Sequence, residues 1–127
     1  MAKIKIAQNP TFSAAVSIPR VGAEPVSVDF QFRYFDRTDL AKLYDGWNQA
    51  AEENAEKAKT EGWTLEQFTA RQLELQAEQI KVVTTGWSFD DEFTDEAIAA
   101  LVSTCVGAPQ AVLDAYQEAY RPARLGN

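Results

Sequence analysis

The sequence predicts an α+β fold: a small N-terminal antiparallel β-meander of about three strands followed by about four α-helices. Three observations carry this. Apolar residues recur at every second position up to Tyr34. From Asp36 onward the apolar period changes to that of a helix. Turn and capping residues fall where one element must stop and the next begin. At 127 residues and 46% hydrophobic composition, the chain is expected to form a single domain over 1–127. Within it, 1–35 reads as the β-meander, 36–85 as a long helical hairpin, 86–121 as a two-helix C-terminal region and 122–127 as a tail.

Three runs alternate in the first third. In "KIKIA", Ile4 and Ile6 share one face and Lys3 and Lys5 the other. In "TFSAAVSI", Phe12, Ala14, Val16 and Ile18 oppose Thr11, Ser13, Ala15 and Ser17. In "VSVDFQFRYF", Val26, Val28, Phe30, Phe32 and Tyr34 form an apolar face. This is the pattern of half-buried antiparallel strands. "QNP" and "PRVGAEP" supply the turns between them.

The first helix places Leu40, Leu43, Tyr44 and Trp47 on one stripe, with Asp36 or Thr38 as cap. "NQAAEENAEKAKTEG" continues it with strong helix formers that have little to bury, and Gly62 is a plausible stop. The second helix opens on a capping box, Thr64 with Gln67, and a hydrophobic staple, Trp63 with Phe68. It is expected to reach about Thr85 with a thin stripe of Leu65, Phe68, Leu75 and Val82, interrupted by Gln72 and Gln79. The two helices read as an antiparallel hairpin standing partly clear of the core.

"GWSFDDEFTDEAIAALV" then concentrates five acids, Asp90, Asp91, Glu92, Asp95 and Glu96. As a calcium loop counted from Asp90 it fails, with Asp95 where glycine is needed and Leu101 where a bidentate acid is needed. As a helix start it succeeds. Thr94 is the cap, Asp95 and Glu96 complement the helix dipole, and Phe93 and Ile98 stand at the staple positions. Ile98, Leu101, Val102 and Cys105 continue as one stripe, with Cys105 a small core residue. Trp87 and Phe89 are expected in the core. In the last helix Pro109 suits the first turn, Val112, Leu113, Tyr116, Ala119 and Tyr120 form the apolar face, and Pro122 ends it.

Composition narrows function. The net charge is −7, distributed as +2 over 1–35, −4 over 36–85 and −5 over 86–127. An acidic helical body argues against nucleic acid and against an anionic membrane surface as partners. No apolar run approaches a bilayer span and the N-terminus lacks the apolar core of a signal peptide. The lone cysteine makes no internal disulfide, in keeping with a reducing compartment. The chain contains no histidine, so the commonest general base and metal ligand is missing, and no glycine-rich phosphate loop is present. No enzyme activity, cofactor or metal is expected.

The order of features resembles the tail assembly chaperones of long-tailed bacteriophages. A meander strand runs into an apolar helix in "VSVDFQFRYFDRTDLAKL", followed by "VVTTGWSFDDEFTDEAIAALV" and "APQAVLDAYQEAYRPARLGN". The matching positions are Gly86, Trp87, Phe93, Thr94, Ala115 and Tyr116, with Arg124 and Asn127 in the tail. The resemblance covers roughly 26–47 and 80–127. It implies a non-enzymatic protein of the bacterial host cytoplasm that binds the tape measure protein, keeps it soluble and helps recruit tail tube subunits. It implies absence from the mature virion. It also implies a longer form, made by a ribosomal frameshift, whose extension contacts the tail tube protein. Trp47, Trp63 and Tyr120 are the candidate partner contacts, and self-association through a first strand at a sheet edge is a further expectation. The competing reading is a small structural or adaptor protein, such as a head–tail connector or tube-associated subunit, retained in the virion.

Overall fold

The computed structural model describes residues 3–121. In chain order these form β1 (Thr11–Arg20), β2 (Ala23–Arg33), α1 (Arg37–Glu61), α2 (Leu65–Val83), β3 (Thr84–Trp87), α3 (Asp95–Thr104) and α4 (Ala108–Glu118). The α+β class is as expected, with three antiparallel strands in the order β1-β2-β3 and four helices. β1 and β2 form a hairpin in the register Phe12↔Phe32 and Val16↔Val28. Gly22, at φ +68°, makes the two-residue turn, a conformation that costs glycine little. Pro19 lies where the register shifts near the turn, and as part of an edge strand it interrupts no interior ladder.

Two expectations are corrected. Lys3–Ala7 is not a strand, and Ile4 and Ile6 are each 99% exposed. The third strand is instead Thr84–Trp87, which pairs with β2 through Phe32↔Thr84, Gln31↔Gly86 and Phe30↔Trp87. So α2 stops at Val83 and does not reach Thr85. The pairing of β3 continues past its end, because Ser88 exchanges N–H···O bonds with Asp29 through its backbone N–H and its Oγ, each 2.9 Å.

One face of the sheet carries the core. Val16, Ile18, Phe30, Phe32, Ile80, Val83, Val112 and Tyr116 are fully buried, and Ile98, Leu101 and Val102 nearly so. The inward stripes of β1, β2, α3 and α4 are those the alternation and helical spacing predict, except that Val26 and Ala119 are exposed at the element ends. The stripe of α2 is different. Leu65 is 81% exposed and Val82 is exposed, while Leu73, Ala77 and Ile80 face the core. The core contacts of α2 begin at Leu73, and its inward helical phase follows those three residues. α3 and α4 are joined at Gly107, whose φ of +88° and a Pro19 Cγ 3.3 Å from where a Cβ would sit both select glycine.

The caps are as predicted. Asp36 accepts from the Asp39 N–H, Thr64 and Gln67 form the reciprocal capping box, and Thr94 accepts from the Ala97 N–H. Gly62 closes α1 in the left-handed conformation. Pro122 lies outside the described residues.

Candidate functional site

The sheet and α4 build a continuous aromatic wall. Phe30 stacks on Phe32 at 5.7 Å, and Phe32 meets Tyr116 edge-on at 5.1 Å. Trp87 lies at the other end, with Phe89 at 5.0 Å and Phe93 at 4.9 Å, both edge-to-face. Such pairs contribute beyond the area they bury. The Trp87 Nε1–H donates to the Asp91 carbonyl at 2.8 Å. The indole therefore fixes the acidic turn from beneath, while the side chains of Asp90, Asp91 and Glu92 stay exposed. Phe93 and Thr94 then seat and cap α3, and Lys81 of α2 reaches Asp95 at the start of α3 at 2.8 Å. That ion pair is exposed, so it contributes little.

Tyr116 is fully buried and donates its O–H to the Arg33 carbonyl at 2.8 Å. Its single proton is thereby committed. In the 2.8 Å contact with Tyr120, Tyr120 must be the donor. Tyr120 in turn accepts the Phe35 N–H at 3.0 Å. The result is a directed chain from Phe35 through Tyr120 and Tyr116 to Arg33, which ties the end of α4 to the exit of β2. Burial, and then the bond with Tyr120, hold the Tyr116 phenol well above the ordinary tyrosine range. Tyr44, beside Tyr120, is also raised, chiefly by burial.

Arg33 is a residue the sequence reading did not single out. Its guanidinium donates to the carbonyls of Lys81, Val82 and Thr84 at 3.1, 3.1 and 3.2 Å. It satisfies carbonyls that the end of α2 leaves free, where a cation is favoured. Alternation places Arg33 on the polar face of β2, but nothing local announces a partner 48 residues away.

The distal hairpin is built differently. Among the residues of α1, Asn54 alone is buried, and its Oδ1 has no hydrogen-bond partner among the described residues. It faces a cleft of about 470 Å³ between α1 and α2, lined also by Ala50, Lys57, Trp63, Gln67 and Ala70. The Lys57 ammonium sits 6.0 Å from the Trp63 ring centre.

The predicted residues thus separate into groups. Trp87, Phe93 and Thr94 come together under the acidic turn, and Tyr116 joins Tyr120 in the hydrogen-bonded chain. Ala115 packs against the core beside them. Gly86 pairs with Gln31, and a Cβ there would meet only the Gln31 side chain at 3.9 Å. Trp47 leans on the core next to Tyr44, whereas Trp63 lines the open cleft. Tyr120 borders a second cleft at the start of β1. Arg124 and Asn127 lie outside the described residues. Among the described residues, no three acids, histidines or cysteines are grouped to hold a metal.

The described residues thus form a small α+β unit in which a sheet with an aromatic wall carries a helical hairpin with an open cleft. The family model described as phage tail assembly chaperone matches residues 1–127, and the chain belongs to that family. It is accordingly a non-enzymatic assembly factor. No curated protein and no solved structure gives a significant match to the chain.

Proposed function

We propose that this chain binds the tape measure protein, keeps that long helical polypeptide soluble, and helps bring tail tube subunits to it during tail morphogenesis. The full-length family match carries this reading. The hairpin cleft supports it, because a groove between two helices suits the apolar face of a third, anchored by an aromatic side chain. Trp63 is the anchor best placed for this, since it lines the cleft while Trp47 packs inward. In this reading the protein works in the host cytoplasm and leaves before the particle is complete. A frameshift-extended form adds the contact to the tube protein.

Co-expression with tape measure fragments tests the proposal. The chain is expected to move the fragments from the insoluble to the soluble fraction, and Trp63→Ala to abolish most of that gain without unfolding the chaperone. Stoichiometric recovery of the chain from purified virions would overturn the proposal in favour of a retained structural subunit.

A further inference from the structure

We infer that two copies of this chain pair through β1, each laying its own Lys3–Ala7 segment along the β1 edge of the other. The outer edge of β1 is unused among the described residues. The Tyr34 N–H bonds to the Pro10 carbonyl at 2.9 Å. With the register Thr11↔Arg33 and Phe12↔Phe32, this makes the even-numbered residues of β1 the ones that bond to β2. The N–H and C=O groups of Thr11, Ser13, Ala15 and Ser17 therefore point the other way, where no strand pairs with them among the described residues. An edge of this kind is a template for another strand.

The inner face of β1 is also unfinished at the same end. Val16 and Ile18 are fully buried, yet Phe12 and Ala14 on the same face are only half-buried. A cleft of about 590 Å³ opens beside Phe12, bordered by Asn9, Tyr34, Ala119 and Tyr120. Five residues upstream lies the missing complement, an alternating segment whose two isoleucines, Ile4 and Ile6, are almost wholly exposed.

An antiparallel two-fold pairing centred on Asn9 satisfies all of this. It sets Lys3 opposite Ala15, Lys5 opposite Ser13 and Ala7 opposite Thr11 of the second copy, so odd residues bond to odd residues. Ile4 then falls opposite Ala14 and Ile6 opposite Phe12, on the inner face and at the cleft. Lys3 and Lys5 fall on the outer face, where Ala15 and Ser13 leave room for their stems to reach Asp29 and Gln31, the β2 partners of those two residues. Pro10 does not interrupt the new ladder, because its missing N–H is at an even position and would face β2. The contact is isologous and closes as a dimer. A single chain does not make it, since its own segment stands free of its own β1.

Light scattering on the full chain tests the pairing. The expected mass is twice the 14.1 kDa of one chain. Ile4→Asp with Ile6→Asp is expected to halve that mass and retain the near-ultraviolet signature of a packed aromatic core. These side chains are exposed in the single chain, so the change spares its fold. Ser13→Pro removes one outward N–H and is expected to halve the mass as well. A wild type that stays at the single-chain mass at every concentration overturns the inference, and so does a larger species that survives the double aspartate variant.

Discussion

The sheet wall and the distal hairpin are held by different physics. In the wall, Phe30, Phe32 and Tyr116 are fully buried, and each touches at least two other rings. In the outer part of the hairpin, from Asn48 through Leu65, the one buried side chain is Asn54, a polar group with an unmatched oxygen, while Ala50, Ala58 and Trp63 are half-buried. What holds the hairpin there is local: the capping box of Thr64 and Gln67, the Gly62 stop, and i,i+4 pairs such as Lys57 with Glu61. Each of those is small, and helical propensity alone stabilises helices only marginally. The wall therefore sets global stability, and the outer hairpin opens at lower cost than the wall.

The sharpest way to break the wall is Phe30→Ala. Phe30 is fully buried on the central strand and touches Phe32, Trp87 and Phe89. A loss of about 3–5 kcal/mol is expected from the cavity and lost transfer energy, read as a shift in the urea midpoint. The corresponding truncation Leu65→Ala, at a side chain that is 81% exposed, is expected to shift it very little.

Tyr116→Phe probes the same wall more gently. It keeps the ring but leaves the Arg33 carbonyl and the Tyr120 hydroxyl without their partner. A loss of about 1–3 kcal/mol at neutral pH is expected. The pH dependence follows from the raised phenol. In the unfolded chain tyrosine loses its proton at about pH 10. The folded protein keeps the Tyr116 proton to higher pH, so above that point the unfolded state binds fewer protons and stability falls as pH rises. The stabilisation is complete below about pH 10 and drains away above it. Tyr116→Phe is expected to flatten that alkaline decline, with the part due to Tyr44 remaining. Urea melts of both proteins from neutral to alkaline pH measure the difference.

The sequence disclosed much of the wall and of the helix ends, and for physical reasons. Alternation from Val28 to Phe32 reports a face because a strand has no other way to bury one side. Asp36, Thr64 and Thr94 report helix starts because capping is a bond across three residues. Long-range pairing left weaker traces. Lys3–Ala7 carries a strand's pattern, but a pattern states what a segment would bury once paired and does not supply the partner. Thr84–Trp87 is a strand although four residues with a glycine signal little on their own; its partner, β2, is what makes it one. Arg33 reaching the end of α2 is equally non-local. Of the candidate contact residues, aromatic type singled out three, and only the packing of α1 against the core separates inward Trp47 from Trp63 at the cleft.

Asn54→Leu is the smallest change and the one that bears most directly on the contrast between the two regions. Within the chain alone, Asn54 is a defect, since its Oδ1 is buried without a donor. Replacing it with an apolar side chain of similar size removes that desolvation penalty, and a gain of about 0.5–1 kcal/mol is expected. A binding surface reverses the value of the residue. If a client helix occupies the cleft as proposed, Asn54 forms part of the surface it rests on, and the leucine variant is more stable yet captures less tape measure fragment. Such an opposition is the ordinary signature of a position kept for binding at the expense of stability. Thermal melts and the co-expression assay on the same variant decide it. A stabilised variant with full capture would exclude Asn54 from the contact, and a destabilised one would show that its amide is already satisfied in the free protein.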